Sequence, residues 1–131
     1  MSKLVFDVPI LSISNGAQDQ SLSRGFFVQA SGQLVSAATG QLPLGVILDG
    51  GFANVGRSAV LLSGSGEIAK VKLNSVPGSI VVGSFLTLRA DGTVGLDQGT
   101  GTARVQVARA LEAGAANELI DAILLDTVAL A

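Results

Sequence analysis

The chain contains one stretch of itself twice, and this constrains its fold more than any other feature. Residues 48–62, LDGGFANVGRSAVLL, align without gaps to residues 111–125, LEAGAANELIDAILL, 63 positions further on. Seven of the 15 pairs are identical, and Asp49/Glu112 and Val60/Ile123 are conservative. A second match, at a spacing of 60, sets Ala30-Ser31-Gly32 against Ala90-Asp91-Gly92, with Val28/Leu88 and Leu34/Val94 in step around it. The spacing widens because the second copy carries a longer loop, Gln98-Gly99-Thr100-Gly101-Thr102. Residues 26–62 and 86–125 therefore read as two copies of one supersecondary unit. A pair is too few for a solenoid. It implies one domain of 131 residues with an approximate internal two-fold.

The repeat also arbitrates between helix and strand. Residues 103–125 are rich in Ala, Leu and Glu, and propensity alone favours a helix there. Their counterparts contain Gly50-Gly51 and Gly56, which a helix interior tolerates poorly. Both copies are therefore expected to be strand–loop–strand, with 114–117 as the second loop and a short helical turn over 113–118 still compatible. Val105 and Val107 alternate with Arg104 and Gln106, but Arg109 breaks the alternation, which predicts a bulge near Ala108.

Elsewhere the pattern is β as well. Ala69, Val71 and Leu73 alternate with Lys70 and Lys72, as in a half-buried strand. Residues 85–96 read as a hairpin. A two-residue Asp91-Gly92 turn would set Arg89 opposite Val94. A three-residue loop, Ala90-Asp91-Gly92, instead pairs Leu88 with Val94, Leu86 with Leu96 and Arg89 with Thr93, and keeps each face uniform. Gly92 then takes the left-handed position of a bulged turn. The same rule in the first copy pairs Val28 with Leu34 and Gln29 with Gln33.

Residues 1–24 belong to neither copy and read as an N-terminal arm or an edge strand; residues 25–131 form the β domain. Within the first segment, residues 5–13 are apolar and extended, Pro9 suits an edge, Asn15-Gly16 signals a turn, and 17–24 is a polar loop. The expected fold is all-β: a small single-domain barrel or sandwich with an internal two-fold repeat and an extended N-terminal arm.

The residue inventory offers little chemistry. With no His and no Cys, the usual general base, the thiol nucleophile and most metal ligands are missing. No Gly-x-Ser-x-Gly or Ser-x-x-Lys motif occurs. Gly64-Ser65-Gly66-Glu67 and Gly99-Thr100-Gly101-Thr102 lack the ending of a phosphate loop and read as turns. Asp91 and Asp97 lack the alternating ligands of a calcium loop and read as turn caps. Asp49 and Glu112, at equivalent positions, read as turn-shaping residues rather than an acid–base pair. The five Phe residues are expected in the core. No Trp or Tyr exists to form the exposed platform of a carbohydrate or single-strand nucleic-acid binder. The expectation is a non-enzyme without cofactor or metal.

Eight scattered Lys and Arg against ten Asp and Glu make no basic patch, which argues against a nucleic-acid partner. The apolar stretch 119–131 is interrupted by Asp121 and Asp126 and is shorter than the ~20 residues a membrane helix needs. Lys3 before Leu4-Val5-Phe6 faintly suggests a signal peptide, but Asp7 and Pro9 fall inside its would-be apolar core. Charged residues are 14%, well below the roughly 25% of an average domain. So apolar a β domain is expected to self-associate, which points to a structural or interaction protein.

The order of these features resembles the capsid decoration, or cement, proteins of tailed bacteriophages. The motifs that carry the resemblance are Arg24-Gly25-Phe26-Phe27-Val28, then Gly45-Val46-Ile47-Leu48-Asp49-Gly50, then a strand pair over 60–71. A hairpin follows from Ile80-Val81-Val82-Gly83-Ser84-Phe85-Leu86 through Asp91-Gly92-Thr93-Val94, and Ala108-Arg109-Ala110-Leu111-Glu112-Ala113 closes the pattern. Ala108 stands where the family pattern has Gly. The resemblance covers nearly the whole chain, on short motifs of common residues. It implies a β-rich subunit, commonly a homotrimer, made in the host cytoplasm. It would bind the outer surface of the virion capsid, with the major capsid protein as partner, and brace the DNA-filled shell. An extended arm can add a strand to an exposed sheet edge, and three arms on one trimer sum weak contacts into avidity. Leu4, Val5, Phe6, Val8, Pro9 and Ile10 are the residues expected to bind the capsid. The alternatives are another self-assembling virion part, such as a head fibre or tail component, and a small surface- or carbohydrate-binding β module.

Overall fold

A computed structural model describes residues 9–131. Nine strands run in chain order: β1 (Ile10–Ser14), β2 (Phe27–Val28), β3 (Gly45–Asp49), β4 (Arg57–Leu62), β5 (Ile68–Lys72), β6 (Phe85–Leu88), β7 (Val94–Leu96), β8 (Arg104–Ala110) and β9 (Leu119–Leu130). They form two antiparallel sheets, one ordered β1-β4-β3-β2 and the other β5-β9-β8-β6-β7. The described residues contain no helix, and the helix-prone stretch 103–125 is β8, a turn and the start of β9. The sheets face each other as a sandwich and do not close into a barrel, because each keeps two edge strands.

The inner faces build one core. Sheet one contributes Phe27, Val46 and Leu61. Sheet two contributes alternate residues of every strand, among them Val71, Leu86, Leu88, Ala108, Ile120 and Leu124. Ala108 and Ala110 on β8 and Ala122 on β9 are fully buried in this core, small residues among larger ones, as a close-packed interior requires.

The hairpin registers agree with the sequence reading. Leu88 faces Val94 and Leu86 faces Leu96. Arg89 N–H donates to Thr93 O at 2.8 Å, and Gly92 sits at φ 86°. In the first copy Val28 bridges Leu34, Gln29 N–H donates to Gln33 O at 2.8 Å, and Gly32 sits at φ 90°. The bulge near Ala108 is also present: Val107 is the extra residue between Gln106 and Ala108 against β6, while against β9 it stands opposite residues 125–127, so there the irregularity lies on β9.

The strand orders of the two sheets correspond, β1-β4-β3-β2 to β5-β9-β8-β6, with β7 matching the Leu34 bridge. Asn54 (φ 68°) and Asn117 (φ 64°), 63 positions apart, are the non-glycine residues with a left-handed backbone among those described. The pairing register, however, departs from the ungapped match. Val46 faces Leu61 and Asp49 faces Ala59, whereas Ala108 faces Leu124 and Ala110 faces Ala122, so with β4 and β9 aligned at 63, β3 and β8 align at 62 before the Leu48 bulge and at 61 after it. The two pairs are irregular in different strands: β3 carries the extra residue Leu48 against β4, whereas in the other pair the extra residues, within 125–127, are on β9.

The segment 1–24 divides. Ile10–Ser14 is not a free arm; it is the edge strand β1, paired antiparallel along β4 from Ile10↔Leu61 to Ser14↔Arg57. Residues 15–24 then fold back over the outer face of sheet one. β4 sends Leu61 to the shared core and Val60 and Ser58 to this outer face. There Val28, Ile47 and Val60 form a small second core, flanked by Ile13, Leu34 and Leu44. Over Ser58 lies the wholly buried Gln20.

Candidate assembly surface

Among the described residues, no comparable cover lies on sheet two. Its outer face carries a row of side chains running straight across four strands. Ile68 on β5 faces Ile123 on β9, Ile123 faces Arg109 on β8, and Arg109 faces Phe85 on β6. The row is outward because Ala69, Ala108, Ala110, Ala122 and Leu86, next to these residues in the chain, all point into the core. Ile68 is 61% exposed and Phe85 40%. Leu111, just past the end of β8, is 40% exposed, and its N–H donates to Asp121 O at 2.9 Å.

Charges on this face are arranged unevenly. The Arg109 guanidinium lies 5.0 Å from the Phe85 ring centroid, and its Nε donates to Gly83 O at 3.1 Å. It has no carboxylate partner among the described residues. One row along, Lys70 sits 3.1 Å from Asp121 and 3.8 Å from Glu112. Glu112 also accepts the Asp121 N–H at 3.1 Å. Two carboxylates thus share one ammonium, next to an arginine with none.

The far end of the same face is polar and closed. Asp97 accepts the Gly99 N–H at 3.0 Å, pairs with Arg104, and takes a longer bond from Gln106. The Gly99 amide, more than the Arg104 side chain, holds the Asp97 carboxyl below the ordinary carboxylate range. Arg89 crosses Gly95 and donates to Leu96 O at 3.2 Å.

The residues singled out by sequence fall as follows. Leu4, Val5, Phe6 and Val8 lie outside the described residues. Pro9 precedes β1, and its carbonyl accepts the Leu62 N–H at 2.9 Å. Its missing N–H removes nothing from the core of the sheet, because β1 is an edge. Ile10 is 45% exposed and paired with Leu61. Asp49 ends β3 of sheet one, whereas Glu112 lies in the bend after β8 of sheet two and pairs with Lys70. Asp91 caps its turn by accepting the Thr93 N–H at 3.1 Å. The expectation that the Phe residues are core is corrected: Phe27 is buried, whereas Phe52 and Phe85 are exposed. Phe52 lies in the loop after β3, where a side chain can point to solvent, and Phe85 starts β6 on its outward side.

The sequence reading missed the row on sheet two. The outward parity of Ile68 and Ile123 is visible in the sequence, but their being side by side depends on β5–β9 pairing across 55 residues.

Among the described residues there is no enclosed pocket and no group of three or more His, Cys, Asp or Glu side chains arranged to hold a metal. No protein-family model matches the chain, and no curated protein matches it.

Proposed function

We propose that this chain is a structural virion protein that binds the outer surface of a phage capsid and braces the DNA-filled shell. In this reading it acts as a homotrimer with the major capsid protein as partner, and its two sheets are copies of one duplicated unit. The observation that carries the reading is the uncovered apolar face of sheet two, in a chain whose other outer face is sealed by its own residues. A face with Ile68, Phe85 and Leu111 in contact with water favours association by about 25 cal/mol per Å² buried. The motif order of the decoration proteins supplies the capsid. Pro9 at the rim of sheet one supplies a departure point for the apolar residues Leu4, Val5, Phe6 and Val8, which would take the capsid contact together with Pro9 and Ile10.

The test is binding to expanded phage shells stripped of their decoration protein, read by co-sedimentation. The full chain is compared with a form lacking residues 2–8. That deletion spares β1, whereas a longer one would remove the strand that pairs with β4. The reading expects the full chain to bind, and the shortened chain to keep its melting temperature but lose the shell. Equal binding by both forms would reject the arm, and no binding by either would reject the capsid.

A further inference from the structure

We propose that the outer face of sheet two is where copies of this chain bind one another, with Arg109 of one copy set against Glu112 and Asp121 of the next. The proposal rests on the reading of the chain as a self-assembling subunit, but not on the identity of the shell it decorates.

Sheet one shows what this fold does with an apolar outer face that stays inside one molecule. It folds residues 15–24 over the face and fills the polar gaps with Gln20 and Ser58. Sheet two has the corresponding strand order but no such cover among the described residues. The segment that follows β5 turns the other way, putting Leu73 into the core beside Val94 and Pro77 O against Leu96 N–H. The row from Ile68 to Phe85 is left for another molecule.

Charge selects a second copy as that molecule. Arg109 lacks an acid among the described residues, while Glu112 and Asp121 share Lys70. The two spots are about one two-residue step apart along the strands, roughly 7 Å. A partner of uniform charge would meet repulsion at one spot or the other. A second copy, turned about a shared axis, meets none: each arginine finds the carboxylates of the next copy around the axis, and those carboxylates find the cation they lack. Stacked on Phe85, the guanidinium is weakly hydrated and suited to an apolar interface.

The experiment is sedimentation velocity of the full chain at micromolar concentrations, with Arg109→Glu, Glu112→Arg and the double reversal. The wild type is expected to be an oligomer. Each single reversal should weaken association by tenfold or more, and the double should recover most of it, about as expected for close charge pairs at interfaces. Melting temperatures should stay near wild type, because both side chains are on the surface. If Arg109→Glu melts early, Arg109→Gln, which keeps donors but not charge, serves in the same comparison. A monomeric wild type, single variants that associate normally, or a double variant no better than the singles would overturn the proposal. Shell binding separates the two readings. A chain that associates through this face but ignores shells loses the capsid role and keeps this interface. A chain that binds shells with its association unaffected by the reversals loses this interface and keeps the capsid role.

Discussion

The Oγ of Ser58 donates a 2.7 Å hydrogen bond to Oε1 of Gln20, and both side chains are wholly buried. The bond is one link in a chain that pins residues 15–24 to sheet one. Gly51 N–H donates to Ser58 Oγ at 3.1 Å. Gln20 Nε2 donates to Gly32 O and to Gln18 Oε1, both at 2.7 Å. Gln18 Oε1 in turn accepts the Leu34 N–H at 2.8 Å. Gln20→Ala leaves Ser58 Oγ and Gly32 O buried without these partners. It should cost about 2–4 kcal/mol, since each orphaned buried group costs about 1–3 kcal/mol. Urea unfolding of the variant checks this, and residues 15–24 should lose amide-exchange protection first.

Gly50 offers a sharper steric prediction. A Cβ there would lie 1.7 Å from Gln20 O, a backbone atom that cannot move without releasing the buried glutamine. Gly50→Ala should therefore destabilise by about 3 kcal/mol or more, the range reserved for overpacking and broken buried networks. Gly99 is the control. Its backbone is left-handed at φ 86°, but a Cβ would meet nothing within 4 Å. Gly99→Ala should cost only the conformational penalty, about 1–2 kcal/mol. Thermal melts of the two variants should rank in that order.

Core and surface apolar residues should separate cleanly. Leu86 is fully buried among the strands of sheet two, whereas Val76 is 78% exposed. Leu86→Ala should lose about 2–5 kcal/mol through lost burial and the cavity left behind. Val76→Ala should stay within about 0.5 kcal/mol of wild type. Calorimetry of both variants under one buffer condition measures the contrast.

Asp97 makes stability depend on pH in a stated direction. Its carboxyl is held below the ordinary range, first by the Gly99 N–H and then by Arg104, against an opposing effect of burial. A depressed folded-state pKa stabilises the fold above the unfolded value of about 3.9 and loses that contribution as pH falls through the folded value. The wild type should weaken below about pH 4, and Asp97→Asn should flatten that part of the profile. At neutral pH the variant should be less stable by about 1–2 kcal/mol, as for a hydrogen bond to a charged group. Melting temperatures from pH 3 to pH 7 provide the check.

The local reading succeeded where one physical constraint acted alone. Side chains alternate strictly along a strand, so only a three-residue loop at Ala90-Asp91-Gly92 keeps the faces of residues 85–96 uniform, and the observed pairing obeys it. The break in alternation at Arg109 marked the Val107 bulge for the same reason. The reading of residues 103–125 as strands needed the repeat, because Ala, Leu and Glu by themselves favour the wrong element. The ungapped match then misled by one position before Leu48 and two after it, because an extra residue in β3 shifts the pairing without leaving a gap in the sequence.

The sequence by itself determined that this chain is all-β, where its hairpins turn, and which residues of β5 to β8 face inward. The turns and inward faces follow from chirality, the two-residue strand period and the needs of left-handed turn positions, all of which act within a few residues, while the strand reading of 103–125 followed from its match to residues 48–62. Only the tertiary structure decided that Ile10–Ser14 joins β4 as an edge strand, that residues 15–24 seal one outer face, and that Ile68, Ile123, Arg109 and Phe85 line up on the other. Each of these depends on pairing between segments tens of residues apart. Which of the two sheets receives a cover is settled by competition among such long-range contacts, and no local pattern in the chain records the outcome.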